Sequence, residues 1–177
     1  AFRSNNSFFD SLPFSVRDSK KIKKNVREDI YKYFKENRNY NYSYKIIFGK
    51  QRDIEKINIH NVVLNSMSKA VNALYQINDK IIIDGKFIPT NLKKFDVSAI
   101  VKADDNINQV SAASIIAKVY RDRLLEKLHK IESVYRWDKN AGYGTKGHIM
   151  AIKENGISKF HRKTYQPISQ LIKELST

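Results

Sequence analysis

Two aspartates, Asp84 and Asp104, are the residues on which chemistry would rest. Asp84 follows three isoleucines in Lys80-Ile81-Ile82-Ile83-Asp84-Gly85, and a carboxylate in such company is costly to bury alone. Asp104 closes a second apolar run, Val97 to Val101, within Ala103-Asp104-Asp105-Asn106. Each has a plainer reading. Asp84 can be a turn residue before Gly85, and Asp104 or Asp105 a helix cap or a favourable first-turn acid. Taken together they carry more. Two carboxylates at the ends of adjacent strands can share a divalent cation, and hard ions such as Mg²⁺ take oxygen ligands while keeping several waters. Phosphodiester cleavage commonly uses two such ions, for which two carboxylates are few. Asp105 leaves open which of the neighbouring acids points at the ion.

Three basic or aromatic clusters accompany them. Asp18-Ser19-Lys20-Lys21 sets positive charge at the start of a helix, or is merely a capped and solvated helix start. Gly142-Tyr143-Gly144-Thr145-Lys146 sets an aromatic ring between glycines. There backbone and ring can meet a sugar or base closely, unless the tyrosine only plugs an apolar gap. His161-Arg162-Lys163 is a cationic patch suited to phosphate contact or simply to solvent. His60 and His148 have no metal-ligand spacing with another histidine and read as structural or surface residues.

The elements that must position these residues alternate in an α/β pattern. Ile22, Val26, Ile30 and Phe34 recur every four residues and predict an apolar stripe on a helix opened by Ser19. Tyr42 to Phe48, ended by Gly49, is a strand candidate. A short helical turn over Arg52 to Lys56 precedes Asn58, a candidate cap for a helix bearing Ile59, Val63, Met67, Ala70, Leu74 and Ile77. Residues 81–83 and 97–101 read as buried strands, separated by enough chain for a parallel crossover. A long helix is predicted over Asn108 to Ile131, with Ile116, Tyr120, Leu124, Leu128 and Ile131 on its apolar face and slim residues Ala112, Ala113 and Ala117 near its start. Thr145 is placed to cap a helix that Gly156 ends, and Pro167 to begin a last one. Ligand sites in open α/β sheets lie at carboxyl ends of strands, where Asp84 and Asp104 fall. Neither a repeat nor a linker interrupts the chain, so residues 1–177 are expected to form one domain.

Composition narrows the chemistry further. Thirty-three Lys and Arg against eighteen Asp and Glu give a formal charge of +15, which favours capture of polyanions. Nucleic acid is the first candidate partner and an anionic membrane surface the second. The absence of cysteine removes disulfides, thiolate metal sites and a cysteine nucleophile, and suits a reducing cytoplasm. No apolar run is long enough for a transmembrane helix. The amino terminus, without an initiator Met or an apolar signal region, reads as the product of a truncation.

The ordered motifs Asp18-Ser19-Lys20-Lys21, Ile57-Asn58-Ile59, Ile83-Asp84-Gly85, Lys102-Ala103-Asp104, Ser111 to Val119 with Arg121-Asp122, Gly142-Tyr143-Gly144-Thr145 and His161-Arg162 resemble ribonuclease HII, the bacterial type 2 ribonuclease H. The resemblance runs from residue 18 to residue 162. It implies a ribonuclease H-like mixed sheet flanked by helices, with a helical carboxyl-terminal part. It implies hydrolysis of RNA in RNA–DNA hybrids and incision beside ribonucleotides embedded in duplex DNA, with Mg²⁺ or Mn²⁺ as cofactor, in a cytoplasmic monomer. Asp84 and Asp104 would be the catalytic, metal-binding carboxylates. Tyr143 would stack on the deoxyribose at the RNA–DNA junction, the helix start at Ser111 and Ser114 would face the nucleic-acid backbone, and Lys20 and Arg162 would contact nucleic acid. One family motif, Asp-Glu-x-Gly-Arg-Gly on the first strand, is absent: no glycine precedes Gly49. The expectation is that the first strand or two are missing and that this chain alone is inactive. Two other readings compete: a basic nucleic-acid-binding protein without chemistry, and a basic α/β domain that docks on a protein. The second leaves the motif order unexplained. An upstream Asp-Glu-x-Gly-Arg-Gly in the coding region would separate the first from the enzyme.

Overall fold

The computed structural model describes residues 1–16, 22–37 and 41–174, so the Asp18-Ser19-Lys20-Lys21 cluster lies outside the described residues. The chain forms two compact units, residues 1–48 with 63–119, and residues 49–62 with 120–177.

In the first unit, β1 (Phe2–Ser4), α1 (Lys24–Glu36) and β2 (Tyr42–Tyr44) build an aromatic core. The two strands pair antiparallel, with Phe2 opposite Tyr44 and Ser4 opposite Tyr42. The strand expected over residues 42–48 is only three residues long, and the Lys45 N–H just past its end donates to the Ala1 carbonyl at 3.0 Å. Phe2 stacks on the Tyr42 ring at 5.5 Å between centroids, and Phe8, Phe9 and Phe34 close around them. On α1, Ile30, Tyr31 and Phe34 are buried while Val26 is exposed. A helix advances 100° per residue, so positions spaced by four drift about 40° at each step, and Val26 has rotated off the core face.

α2 (Gln51–Asn72) carries a break at Asn58, whose φ of 63° and ψ of 164° interrupt the helix. The Asn58 Oδ1 accepts from the Asn61 N–H at 3.0 Å, so this residue caps the helix that follows it, as its side chain predicts. Within the first unit, β3 (Ile81–Asp84) and β4 (Val97–Ile100) pair in parallel, with Ile81 opposite Val97 and Asp84 opposite Ile100. Ile81, Ile83 and Leu92 form a small core covered by Met67, Val71 and Tyr75. Ile82 and Ile100 remain exposed. The isoleucine run is therefore covered on one face only, which corrects the expectation of two fully buried strands. After β4 the chain turns through Lys102, in a left-handed conformation with φ 58°, into α3 (Ala103–Asn106) and then α4 (Asn108–Ile131).

α4 has the predicted bounds, and Ala112, Ile115, Ile116 and Val119 bury into the aromatic core. Farther along, Leu125 and Leu128 pack into the core of the second unit, whereas Leu124 and Ile131 are exposed. The predicted face again drifted by its spacing of four. The second unit's core, Tyr135, Trp137, Ala151, Ile152, Ile168 and Leu171, is gathered from α5 (Trp137–Asn140), α6 (Lys146–Asn155), α7 (Ile168–Glu174) and the turn before α5. Thr145 caps α6 by accepting from the His148 N–H, and Gly156, at φ 79°, ends it. No helix among the described residues is long and apolar enough to cross a membrane.

Candidate active site

The parallel register of β3 and β4 brings the two carboxylates to one end of the sheet. Gly85 N–H donates to the Ile100 carbonyl at 3.0 Å, extending the ladder one step past Asp84. The left-handed Lys102 then reverses the chain, at a cost of about 1 kcal/mol for a non-glycine residue. The reversal presents the Ala103 N–H to Asp84, whose Oδ1 accepts it at 3.0 Å. Asp84 is thereby bonded to the residue immediately before Asp104. The side chain of Asp84 is exposed, that of Asp104 is buried, and that of Asp105 is half-buried.

Ser111 holds this turn from the next helix. It was expected to face a nucleic-acid backbone, yet it is buried, and its hydroxyl donates to the Asp104 carbonyl. That carbonyl lies in the last turn of α3, where helix geometry leaves acceptors without intrahelical partners. Ser111 therefore supports the segment carrying Asp104 rather than offering a surface hydroxyl. Ser114, one turn on, is half-buried.

The side chains carried to this end of the sheet, Asp84 and Asp104, offer oxygen donors, the kind that hard divalent cations take. Two carboxylates balance one such ion, with water completing its shell. Among the described residues no group of three or more His, Cys, Asp or Glu is arranged to hold a metal. In charge, two carboxylates suit one dication and are too few, unaided, for two.

In the second unit, the loop bearing Tyr143 is built on Asn140, a residue that sequence reasoning passed over. Asn140 is buried, and its Nδ2 donates to the Tyr135 carbonyl at 2.6 Å. Its Oδ1 accepts from Gly142 N–H at 2.9 Å and its carbonyl from Tyr143 N–H at 2.8 Å. Ala141 and Gly142 have φ of 49° and 74°, a left-handed pair that glycine eases. A side chain at Gly144 would come within 3.3 Å of Pro167, so the backbone passes closely there. The Tyr143 ring is 67% exposed, with the Arg121 guanidinium 5.5 Å from its centroid. Arg121 also donates to the Ala141 carbonyl at 2.7 Å. The asparagine-glycine spacing was the available signal for this turn. Nothing local announced Arg121, which lies 20 residues upstream of the carbonyl it binds.

The cationic patch at 161–163 is only partly what it seemed. Arg162 is half-buried with its guanidinium 4.3 Å from the Tyr165 ring centroid. His161 is buried against Tyr135 and Trp137, and burial together with the nearby His148 pushes its pKa down to about 4. It is neutral near pH 7 and adds no charge to the patch. His148, taken as structural or surface, is buried in contact with it.

The chain is similar to known proteins over most of its length. A model of the family described as Ribonuclease HII matches residues 5–168. The ribonuclease HII of Pelagibacter ubique is 43% identical over 168 residues, which cover 95% of this chain and 86% of that relative. That of Borreliella burgdorferi is 42% identical over 167 residues, covering 94% and 87%. The crystal structure of the ribonuclease H2 from Pyrococcus horikoshii OT3 is similar in fold, with a TM-score of 0.71 at 24% identity, covering 92% of this chain and 82% of that one.

Proposed function

The chain belongs to the ribonuclease HII family, and on that premise we propose that it hydrolyses the RNA strand of RNA–DNA hybrids and incises duplex DNA beside embedded ribonucleotides. The observation that carries the reading is the joined pair at the end of the parallel sheet: Asp84 bonded through the Ala103 N–H to the turn that presents Asp104. In this reading Asp84 and Asp104 hold Mg²⁺ or Mn²⁺. Bound divalent cations supply Lewis acidity at the scissile phosphate and acidify the water beside it.

The chain's own residues do the rest. Ser111 fixes the Asp104 backbone, so that carboxylate is preorganised rather than searching. The surplus of 33 Lys and Arg over 18 Asp and Glu draws in the polyanionic duplex and neutralises phosphates without reading sequence. Arg162 and Lys20 contact phosphates, and the start of α4 near Ser114 faces the backbone. The exposed Tyr143 ring stacks on a deoxyribose at the junction between RNA and DNA, which makes the enzyme sensitive to where ribose ends. A two-ion arrangement needs carboxylates beyond these two, because −2 balances only one of two dications.

The test is Asp84→Asn in the full-length enzyme, assayed with Mg²⁺ and with Mn²⁺ on duplex DNA carrying one ribonucleotide and on a continuous hybrid. Asparagine keeps the oxygen that accepts the Ala103 N–H and removes the charge. Cleavage is expected to be lost on both substrates while binding, read by gel shift, stays within a few-fold. Retained cleavage by this variant refutes the assignment.

A further inference from the structure

Two buried histidines lie directly behind the exposed Tyr143, and their hydrogen bonds admit one direction only. The His161 Nδ1 accepts from the Ser158 N–H at 3.0 Å, which leaves the hydrogen of a neutral His161 ring on Nε2. That Nε2 lies 3.0 Å from the Nε2 of His148 and must donate to it. The hydrogen of His148 is then on Nδ1, which lies 2.9 Å from the Tyr143 carbonyl and donates to it. Every step of the chain has one donor and one acceptor, and the tautomer of each ring follows from the backbone N–H at its far end.

We propose that His148 and His161 are positioning residues for Tyr143, fixing the backbone beneath its ring so that the ring is held ready to stack on a nucleic-acid sugar. The proposal rests on the reading of Tyr143 given above. It adds two buried residues, neither able to touch substrate, that act through a third. The Tyr143 carbonyl also receives the Thr145 N–H at 2.8 Å, so the cap of α6 and the histidine chain converge on a single oxygen. A flexible exposed tyrosine would lose rotational freedom on each encounter; one whose main chain is tied at both N–H and carbonyl loses less.

The groups facing His161 keep it neutral at physiological pH. Tyr135 meets His161 edge-on at 4.8 Å, and its hydroxyl donates to the Gly156 carbonyl at 3.0 Å. Trp137 covers His161 at 5.6 Å. Gln51 donates to the His161 carbonyl. The Glu132 carboxylate acts on His161 in the direction of protonation, and burial and His148 outweigh it. A second proton on the pair would set two N–H groups against each other across the 3.0 Å contact, or set an N–H against the Ser158 amide.

The experiment has two arms. Long-range ¹H–¹⁵N spectra of the full-length enzyme near pH 7 report which nitrogen of each ring is protonated. The expected result is Nδ1 for His148 and Nε2 for His161, and the opposite tautomer of either ring overturns the proposal without any variant being made. In the second arm, cleavage of a duplex with one ribonucleotide is compared, as a ratio of kcat/KM, with cleavage of a continuous hybrid. Tyr143→Ala is expected to lower that ratio about tenfold or more. His148→Gln, whose amide sits at the Nε2 position and cannot reach the Tyr143 carbonyl, is expected to lower it several-fold. His148→Asn, whose amide occupies the Nδ1 position, restores most of that loss. Tyr143→Ala with His148→Gln is expected to match Tyr143→Ala alone, because both act through one ring. If Tyr143→Ala lowers the ratio and His148→Gln does not, the positioning role is wrong and the stacking role stands. If Tyr143→Ala leaves the ratio unchanged, both fall.

Discussion

Replacing Ser111 by alanine tests whether the turn carrying Asp104 is held from α4. The hydroxyl donates to the Asp104 carbonyl, and both residues are buried, with Ser111 at 1% exposure and Asp104 at 2%. Alanine fits the same space but removes the hydroxyl that donates to that carbonyl. Removing one partner of a buried hydrogen bond costs about 1–3 kcal/mol. Alanine returns about 0.5 kcal/mol through its better helix propensity in α4. The net loss is about 0.5–2.5 kcal/mol, which for a chain of this size lowers the melting midpoint by about 1–10 °C. Urea unfolding should shift in midpoint at constant slope, the sign of lost stability without a change in compactness. A loosened Asp104 should also hold Mn²⁺ about 10–100-fold less tightly in calorimetric titration of the full-length enzyme, as removal of outer supports generally does. An unchanged urea midpoint refutes the claim that the bond stabilises the turn. A lower midpoint with unchanged metal affinity refutes the claim that the bond positions the carboxylate.

Three further outcomes follow from the same kind of accounting. Asn58→Ala removes a cap and retains a positive φ that alanine resists, so it should cost about 2 kcal/mol in urea unfolding, whereas Asn58→Gly should stay within about 0.5 kcal/mol. Thr145→Ala removes the acceptor for the His148 N–H and should cost about 1 kcal/mol, read as a lower thermal midpoint. His161 has a folded pKa of about 4 against an ordinary 6.5, so the unfolded chain binds the extra proton first. The stability due to neutral His161 is fully present above pH 6.5 and is lost as pH falls toward 4, with about 3 kcal/mol as its upper bound. The difference in urea stability between the parent and His161→Gln should shrink across that window, and a constant difference from pH 7 to pH 4 contradicts the assignment.

Local signals were enough to delimit several elements. The bounds of α4, Asn108–Ile131, lie where the periodic pattern starts and stops. β3 ends at Asp84 because Gly85 follows a β-branched run, and β4 falls within its own apolar stretch. Asn58 and Thr145 cap as their side chains predict, since a cap acts on the backbone only three residues away. These are properties of neighbours along the chain, and chemistry within one or two turns decides them.

Tertiary structure alone decided which side chains meet. Leu125 packs inward where Leu124 was expected, because a helix turns 100° per residue and the position of its neighbour selects the buried face. The pairing of β1 with β2 joins Phe2 to Tyr44, and the bond of Asp84 to the Ala103 N–H spans 19 residues. Ser111 turned from an expected surface contact into an internal support. His148, read as a structural or surface residue, and His161, read as part of a cationic patch, became one hydrogen-bonded pair across 13 residues. A residue's type states what it can bond to. Which partner it finds depends on how the intervening chain closes, and that closure is set by the packing of the whole unit and by no short stretch of sequence.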